Sequence, residues 1–337
     1  MKVTIKDIAK ELGLAVSTVS RALNGSYGVH PNTIEQVKKK AKELGYIPNL
    51  GAQQMAGKSS QLIGIFFPEF DIEGVNPDFF ELLPSIQEVL REGGKDVIIF
   101  PVKLADYRNN LLTEWVRKRN LEGCIFLPGI TREDNILREA QSINIPAVNF
   151  GKVVGDKCSA IGSNSREGGR MITELLIRNG HKIIGFINGP DHLFICKERY
   201  AGFYEVLQEN GITHNTSQVI HGNFNGKSGE DAAIRLINEN PDLTAIVCAN
   251  DLMAMGAISA LAGKGAKVPA DVSVTGFDGL YYTAYMNPPL TTVNHSSERI
   301  GTKAAEMLLE LLNDRHGYHH TVTPILIERK SVSDIRQ

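Results

Sequence analysis

Apolar positions recur with a helical period at the start of the chain and give way to short, wholly apolar runs after residue 61, so two kinds of architecture are predicted. Ile5, Ile8, Ala9 and Leu12 fall at i, i+3, i+4 and i+7 of a first helix, with Thr4 and Asp7 placed as a capping box ahead of it. Gly13 breaks that helix. A second helix, 16–23, buries Val19, Ala22 and Leu23 and turns Val16, Ser17, Thr18, Ser20 and Arg21 to its other face. Gly25 ends it, and Pro31 suits the first position of a third helix, where Ile34, Val37, Ala41 and Leu44 keep helical spacing. Residues 1–45 therefore make a three-helix unit. In 46–60, Pro48 stops the third helix, Asn49 can cap a new one, and 50–56 can form two turns that need a partner surface to persist.

Beyond 61 the strand-like runs are 62–67, 97–100, 124–127, 147–150, 159–161, 183–187, 219–221, 245–248 and 272–275. Between them lie helices, among them 79–92, 109–119, 170–179, 199–210, 227–239 and 252–264. Short apolar strands spaced by helices predict parallel sheets covered on both faces. Two such series, divided near residue 160, predict two similar α/β lobes with a cleft between them. Runs at 291–293 and 325–327 bracket a helix at 298–312, as a chain crossing back between lobes would. The lobes expected are 61–160 with 291–322, and 161–290 with 323–337.

Composition sharpens this picture. At 337 residues the chain exceeds one ordinary core, and 42% hydrophobic with 22% charged residues describes a globular protein. The net charge of −2 is unevenly placed: residues 1–58 carry nine Lys or Arg against four Asp or Glu. A basic head on an acidic body suits a nucleic-acid-binding module joined to a part that avoids nucleic acid. Cys124, Cys158, Cys196 and Cys248 form no CxxC pair and read as core residues in a reducing compartment. No apolar run reaches membrane length and residues 1–10 lack a signal-peptide core, which points to a cytoplasmic protein.

The candidate chemistry lies mainly in the head. Small and hydroxylated residues ending in a guanidinium fit the DNA major groove: hydroxyls reach phosphates and Arg21 can grip a guanine through two hydrogen bonds. The alternative is a helical hairpin from an ordinary bundle. Residues 52–59 read AxxxxGKS and 222–228 read GNFNGKS, but neither completes a phosphate-binding loop. His316, His319 and His320 could suggest a metal, yet they fall in a polar stretch without Cys, and a solvated loop with no metal is expected. No GxGxxG, GxSxG or HExxH occurs, so no cofactor or catalytic residue is assigned and an enzyme is not expected.

TIKDIAKELGLAVSTVSRALNG, ELGYIPN and AQQMAGKSSQLIGI, followed by NPDFFELL, RNGHKIIGFINGP, ERYAGF, CANDLMAMGAISAL, VPADVSVTGFDG and NPPLTTVNH, resemble the lactose-repressor (LacI/GalR) family of bacterial transcription regulators, in order and along the whole chain. The resemblance implies an all-α helix-turn-helix headpiece (1–45), a hinge helix (46–60) and a two-lobed α/β core of parallel sheets like periplasmic binding proteins (61–337). It implies a repressor that binds a pseudo-palindromic DNA operator as a homodimer under a small polar effector; with no heptad tail, a dimer is expected over a tetramer. Val16, Ser17 and Arg21 match the family's base readers, and Thr18 and Ser20 positions that serve phosphates and packing. Gln53 and Met55 match the hinge, where an apolar side chain wedges the minor groove. Phe79, Arg199, Phe224, Asn250 and Asp278 match effector contacts suited to a sugar. Ala15 departs from the usual Ser that caps the second helix, Asp78 from an aromatic residue, Asn164 from Asp, and the loop 69–75 is longer than usual. A protein co-regulator in place of the sugar, or a solute-binding protein, are the competing functions.

Overall fold

Thr4 starts helix α1 (Ile5–Leu12) by donating its backbone N–H and its hydroxyl to Asp7 Oδ2, at 2.8 and 2.7 Å. Gly13 then ends the helix at φ +63°, a conformation that costs a residue with a Cβ. Helix α2 (Val16–Asn24) follows Ala15, whose carbonyl accepts from Thr18 N and Val19 N. Helix α3 (Pro31–Glu43) is capped by His30, whose Nδ1 accepts from Asn32 N at 3.3 Å. Ile8, Ala9, Val19, Ala22, Val37 and Ala41 form the buried core of this unit, with Leu12, Leu23, Ile34 and Leu44 packed on it.

The computed structural model describes residues 3–24, 27–46, 60–69, 78–131 and 134–336, in two units, 1–60 and 61–337. The expected hinge helix at 50–56, with Gln53 and Met55, lies outside the described residues.

The second unit runs β1 (Leu62–Pro68), α4 (Asp78–Glu92), β2 (Asp96–Val102), α5 (Leu111–Arg119), β3 (Gly123–Phe126), α6 (Asn135–Ser142), β4 (Ala147–Asn149), β5 (Cys158–Ser163) and α7 (Ser165–Arg178). It continues through β6 (Ile184–Asn188), α8 (Phe194–Glu209), β7 (Val219–His221), α9 (Gly226–Glu239), β8 (Ala245–Cys248), α10 (Asp251–Gly263), β9 (Ser273–Asp278), β10 (Thr291–Asn294), α11 (Ser297–Leu312), β11 (His319–Val322) and β12 (Ile325–Ile327). One sheet has the order β11-β5-β4-β3-β1-β2 and is parallel throughout. The other, β12-β10-β9-β8-β6-β7, is parallel except for the β10–β12 pair.

Strand β1 explains why these runs are apolar without alternation. Ile63 and Ile65 pack with Leu82 and Ile86 of α4 and Ala304 and Leu308 of α11, while Phe66 points to the opposite side with Leu112 of α5 and Ile136 of α6. Both faces are covered, so no position is left for a polar side chain.

Three short segments cross between lobes: after Ser163 of β5, after Asn294 of β10 and after Val322 of β11. Asn164 N donates to Val322 O at 3.0 Å, tying the first crossing to the third. The lobe boundaries expected from the sequence need correction at two places: residues 161–163, assigned to the second lobe, complete β5 of the first sheet, where Ile161 pairs with His320. Residues 291–294, assigned to the first lobe, form β10 in the second sheet, where Thr291–Asn294 pair in register with Thr275–Asp278 and Val293 enters that lobe's core. The return crossing therefore begins at His295.

A second correction concerns the histidines. His319 and His320 stand in edge strand β11, paired with Ala160 and Ile161, and not in a loop. An edge strand keeps one side open, which tolerates polar residues. His316 Nδ1 lies 2.5 Å from Asp156 Oδ1. Among the described residues no group of three His, Cys, Asp or Glu side chains could hold a metal, and no helix is long and apolar enough to cross a membrane.

Candidate functional site

In the first unit, α2 separates its two faces as its sequence predicts. Val19 and Ala22 are fully buried, whereas Val16 is 46% exposed and Ser17 and Arg21 are exposed; Thr18 and Ser20 are half-buried at the boundary. The outward face thus joins a bare apolar branch, a hydroxyl and a guanidinium within two turns. That set can meet a thymine methyl, a hydrogen-bonding group on a base edge and a guanine. Ala15 has no side-chain acceptor to offer the first N–H groups of α2, so its helix start rests on backbone bonds alone.

In the second unit the matched residues gather at the carboxyl ends of the second sheet's strands, the side from which β10 crosses to the other lobe. This is where open α/β sheets hold ligands. Arg199 on α8 is buried; its guanidinium carbon sits 3.8 Å from the centre of the Phe277 ring, Nη1 donates to Ala249 O, and Nη2 lies 3.6 Å from Asp278 Oδ1. Asp278, also buried, turns the same Oδ1 toward His295 Nδ1 at 3.8 Å, and His295 Nε2 meets Ser297 Oγ at 3.1 Å. Opposite charges side by side leave the pair close to neutral.

Asn250 is committed more fully than its position suggested. Its Oδ1 caps α10 by accepting from Met253 N at 2.9 Å, and its Nδ2 donates to Phe224 O at 2.9 Å. Phe224, at φ +69°, lies over Gly189, where any Cβ would strike its ring. Asn250 therefore sets the backbone of Phe224 and keeps one N–H and one oxygen lone pair of its own. Phe79 lies in the first turn of α4, but its side chain is outside the described residues. Asn164, one of the departures, caps α7 by accepting from Glu167 N at 3.1 Å.

Sequence reasoning missed Phe277, which forms the floor under Arg199. An apolar residue in a buried strand carries no mark of a second role. It also missed Lys152, beyond β4, whose Nζ stands 3.5 Å over the ring of half-exposed Phe194 at the start of α8, one lobe touching the other. Cys196, beside Gly189, has its thiol pushed up to about 11 by burial and is a packing group, not a nucleophile. Among the described residues, buried Arg199 Nε, Thr275 Oγ1, Ser163 Oγ and Ser296 Oγ have no hydrogen-bond partner.

Residues 4–49 match the lacI family of bacterial regulatory proteins, and residues 173–332 match the periplasmic binding protein-like domain. The HTH-type transcriptional repressor PurR of Haemophilus influenzae is 32% identical over 337 residues, spanning 98% of this chain and 99% of the relative. Among solved structures, the lac repressor dimer bound to operator and the anti-inducer ONPF is similar with a TM-score of 0.83 and 28% identity, over 99% of this chain and 100% of that one. The transcriptional regulator CelR in complex with cellobiose follows at 0.74 and 27%, over 98% and 100%. A likeness of this order along the full length of both chains fixes the lineage: the chain belongs to the lacI family of bacterial regulatory proteins, as a DNA-binding transcriptional repressor.

Proposed function

We propose that the chain acts as a homodimer on a pseudo-palindromic operator, with Val16, Ser17 and Arg21 reading bases and Thr18 and Ser20 meeting the phosphate backbone. Gln53 and Met55, outside the described residues, are the proposed minor-groove contacts. The inter-lobe cleft takes a small, uncharged polar effector held by Arg199 and Asp278, with Phe224, and Phe79 from the other lobe, against its apolar face and Asn250 fixing the Phe224 backbone. The observation that carries this is the buried Arg199–Asp278 pair with Arg199 Nε unpartnered: a buried donor of this kind is normally satisfied, and a bound hydroxyl or carbonyl would satisfy it. Because Asp278 offsets the arginine, a phosphorylated ligand gains little from Arg199 and is repelled by the carboxylate.

Two effector classes fit. A sugar suits an Arg–Asp pair bracketing neighbouring hydroxyls beneath a ring, and the CelR neighbour was solved with cellobiose. A purine base is the second reading, favoured by the relatives named PurR. Thermal unfolding against cellobiose, ribose, hypoxanthine and guanine, with a sugar phosphate and a nucleotide alongside, separates the two, since a ligand of the native state raises Tm by mass action. Binding of a neutral compound that disappears in Arg199→Ala and Asp278→Ala supports the reading; a phosphorylated compound binding best, or binding that survives both variants, overturns it. Effector and operator affinities are reciprocally linked, so titrating operator with the hit gives the sign of control.

A further inference from the structure

We infer that Asp251 is a positioning residue of the effector site: its buried carboxylate fixes the backbone turn that presents Asp278 to Arg199. The inference rests on Arg199 and Asp278 being effector contacts. Asp251 opens α10 directly after Asn250 and is wholly buried. Its Oδ2 accepts from Gly279 N at 3.0 Å and Leu280 N at 2.8 Å, and its Oδ1 accepts from Thr292 Oγ1 at 2.6 Å. Those two amides immediately follow Asp278.

The turn they belong to is an unfavourable one. Asp278 has φ +114° and Gly279 φ +77°, and a non-glycine residue persists in such a conformation only where its surroundings impose it. Asp251 supplies the imposition from a different element. Room for its carboxylate comes from Gly276, where a Cβ would collide with Asp251 Oδ1, and Gly276 is the register partner of Thr292, the third donor. One side chain therefore ties the head of α10, the end of β9 and strand β10 together at the point from which Asp278 reaches Arg199. The charged neighbour on the C-terminal segment is Arg329, itself held by Thr283 Oγ1 and Leu290 O.

The test needs no effector. In the full-length chain, labelled with 15N and deuterium, hydrogen exchange at the Gly279 and Leu280 amides and the Arg199 Nε–Hε resonance are followed by NMR. Asp251→Asn keeps an oxygen for both amides and turns its NH2 toward Thr292, so exchange stays within about threefold of the parent and the Arg199 resonance stays in place. Asp251→Ala raises exchange at both amides about tenfold or more and shifts the Arg199 resonance. Should that variant fail to fold, Thr292→Val, which removes one donor and leaves the backbone pair, gives a rise of a few fold at the same amides. A purely structural role predicts lower Tm with the Arg199 resonance unmoved. That result, or an Asn variant as disturbed as the Ala variant, overturns the inference. The effector reading fails separately, through ligand binding that is indifferent to Arg199→Ala and Asp278→Ala.

Discussion

Arg199 shows how much one side chain can be asked to do and how little of that its sequence context discloses. Its position was legible from resemblance, because the ERYAGF segment places it; its environment was not, because a phenylalanine beneath it and a backbone carbonyl beside it look like any other core. Asn250 is the converse case. Its place was legible, but half of its amide's hydrogen-bonding capacity goes to capping α10 and holding Phe224 O. Asn250→Ala should therefore lower stability by about 0.5–2 kcal/mol with no ligand present, measured by urea unfolding. A loss seen only with effector bound would return Asn250 to the role of direct contact. On the DNA side, Arg21→Ala should cost about 1–3 kcal/mol at one guanine position and relax the preference there, measured by binding to an operator selected from random duplexes. Equal loss on all sequences would make it a phosphate contact.

At the scale of elements, glycine was the residue most easily misjudged. Gly168 and Gly169 look like a break ahead of a helix at 170, yet both lie inside α7. A Cβ on Gly169 would strike the Arg199 carbonyl of α8, and one on Gly202 of α8 would strike the Arg166 carbonyl of α7. Gly229 and Gly256 do the same between α9 and α10. These are sites where two helix backbones meet directly, and a single sequence does not separate such contacts from turns. Gly202→Ala must push α8 outward and should destabilise by about 1–3 kcal/mol while weakening effector binding, since Arg199 moves with its helix; differential scanning calorimetry and titration with the effector check the two effects. In α2 the opposite change is available. Ala15→Ser adds a side-chain acceptor at a helix start held by the Ala15 carbonyl, and should raise the stability of the headpiece by about 0.5–2 kcal/mol, visible as slower amide exchange at residues 17 and 18.

For the whole molecule, the alternation of strands and helices made two parallel-sheet lobes legible, but not where the chain returns: Thr291 to Asn294 carry a single apolar residue, Val293, which does not say which sheet they join, and their register with Thr275 to Asp278 puts them in the second. In that second lobe three buried groups make stability depend on pH. Burial outweighs three donated hydrogen bonds and raises Asp251 from its ordinary 3.8 to about 7. Native Asp251 keeps its proton between those values while the unfolded chain has lost it, so its contribution falls as pH rises from about 4 to 7. His181 and His214, held neutral by burial, act in the other direction and cost stability as pH drops below 6.5. Urea midpoints of the parent and Asp251→Asn at pH 5 and pH 8 should show the variant gaining relative to the parent at the higher pH; a constant difference would mean Asp251 does not titrate in that range.

The crossings carry a consequence for how the protein is made. The first lobe's core takes Ile300, Ala304, Met307, Leu308 and Leu311 from α11, and its sheet takes β11, so the lobe begun at residue 62 lacks a wall and an edge strand until about residue 322 has left the ribosome. The second lobe's central strands β6, β8 and β9 and their covering helices are complete in sequence by 278. Synthesis thus exposes Ile63, Ile65, Leu82 and Ile86 for the time needed to add more than two hundred residues, about 10–40 s at 5–20 residues per second. During that interval the nascent chain carries an unfinished hydrophobic face.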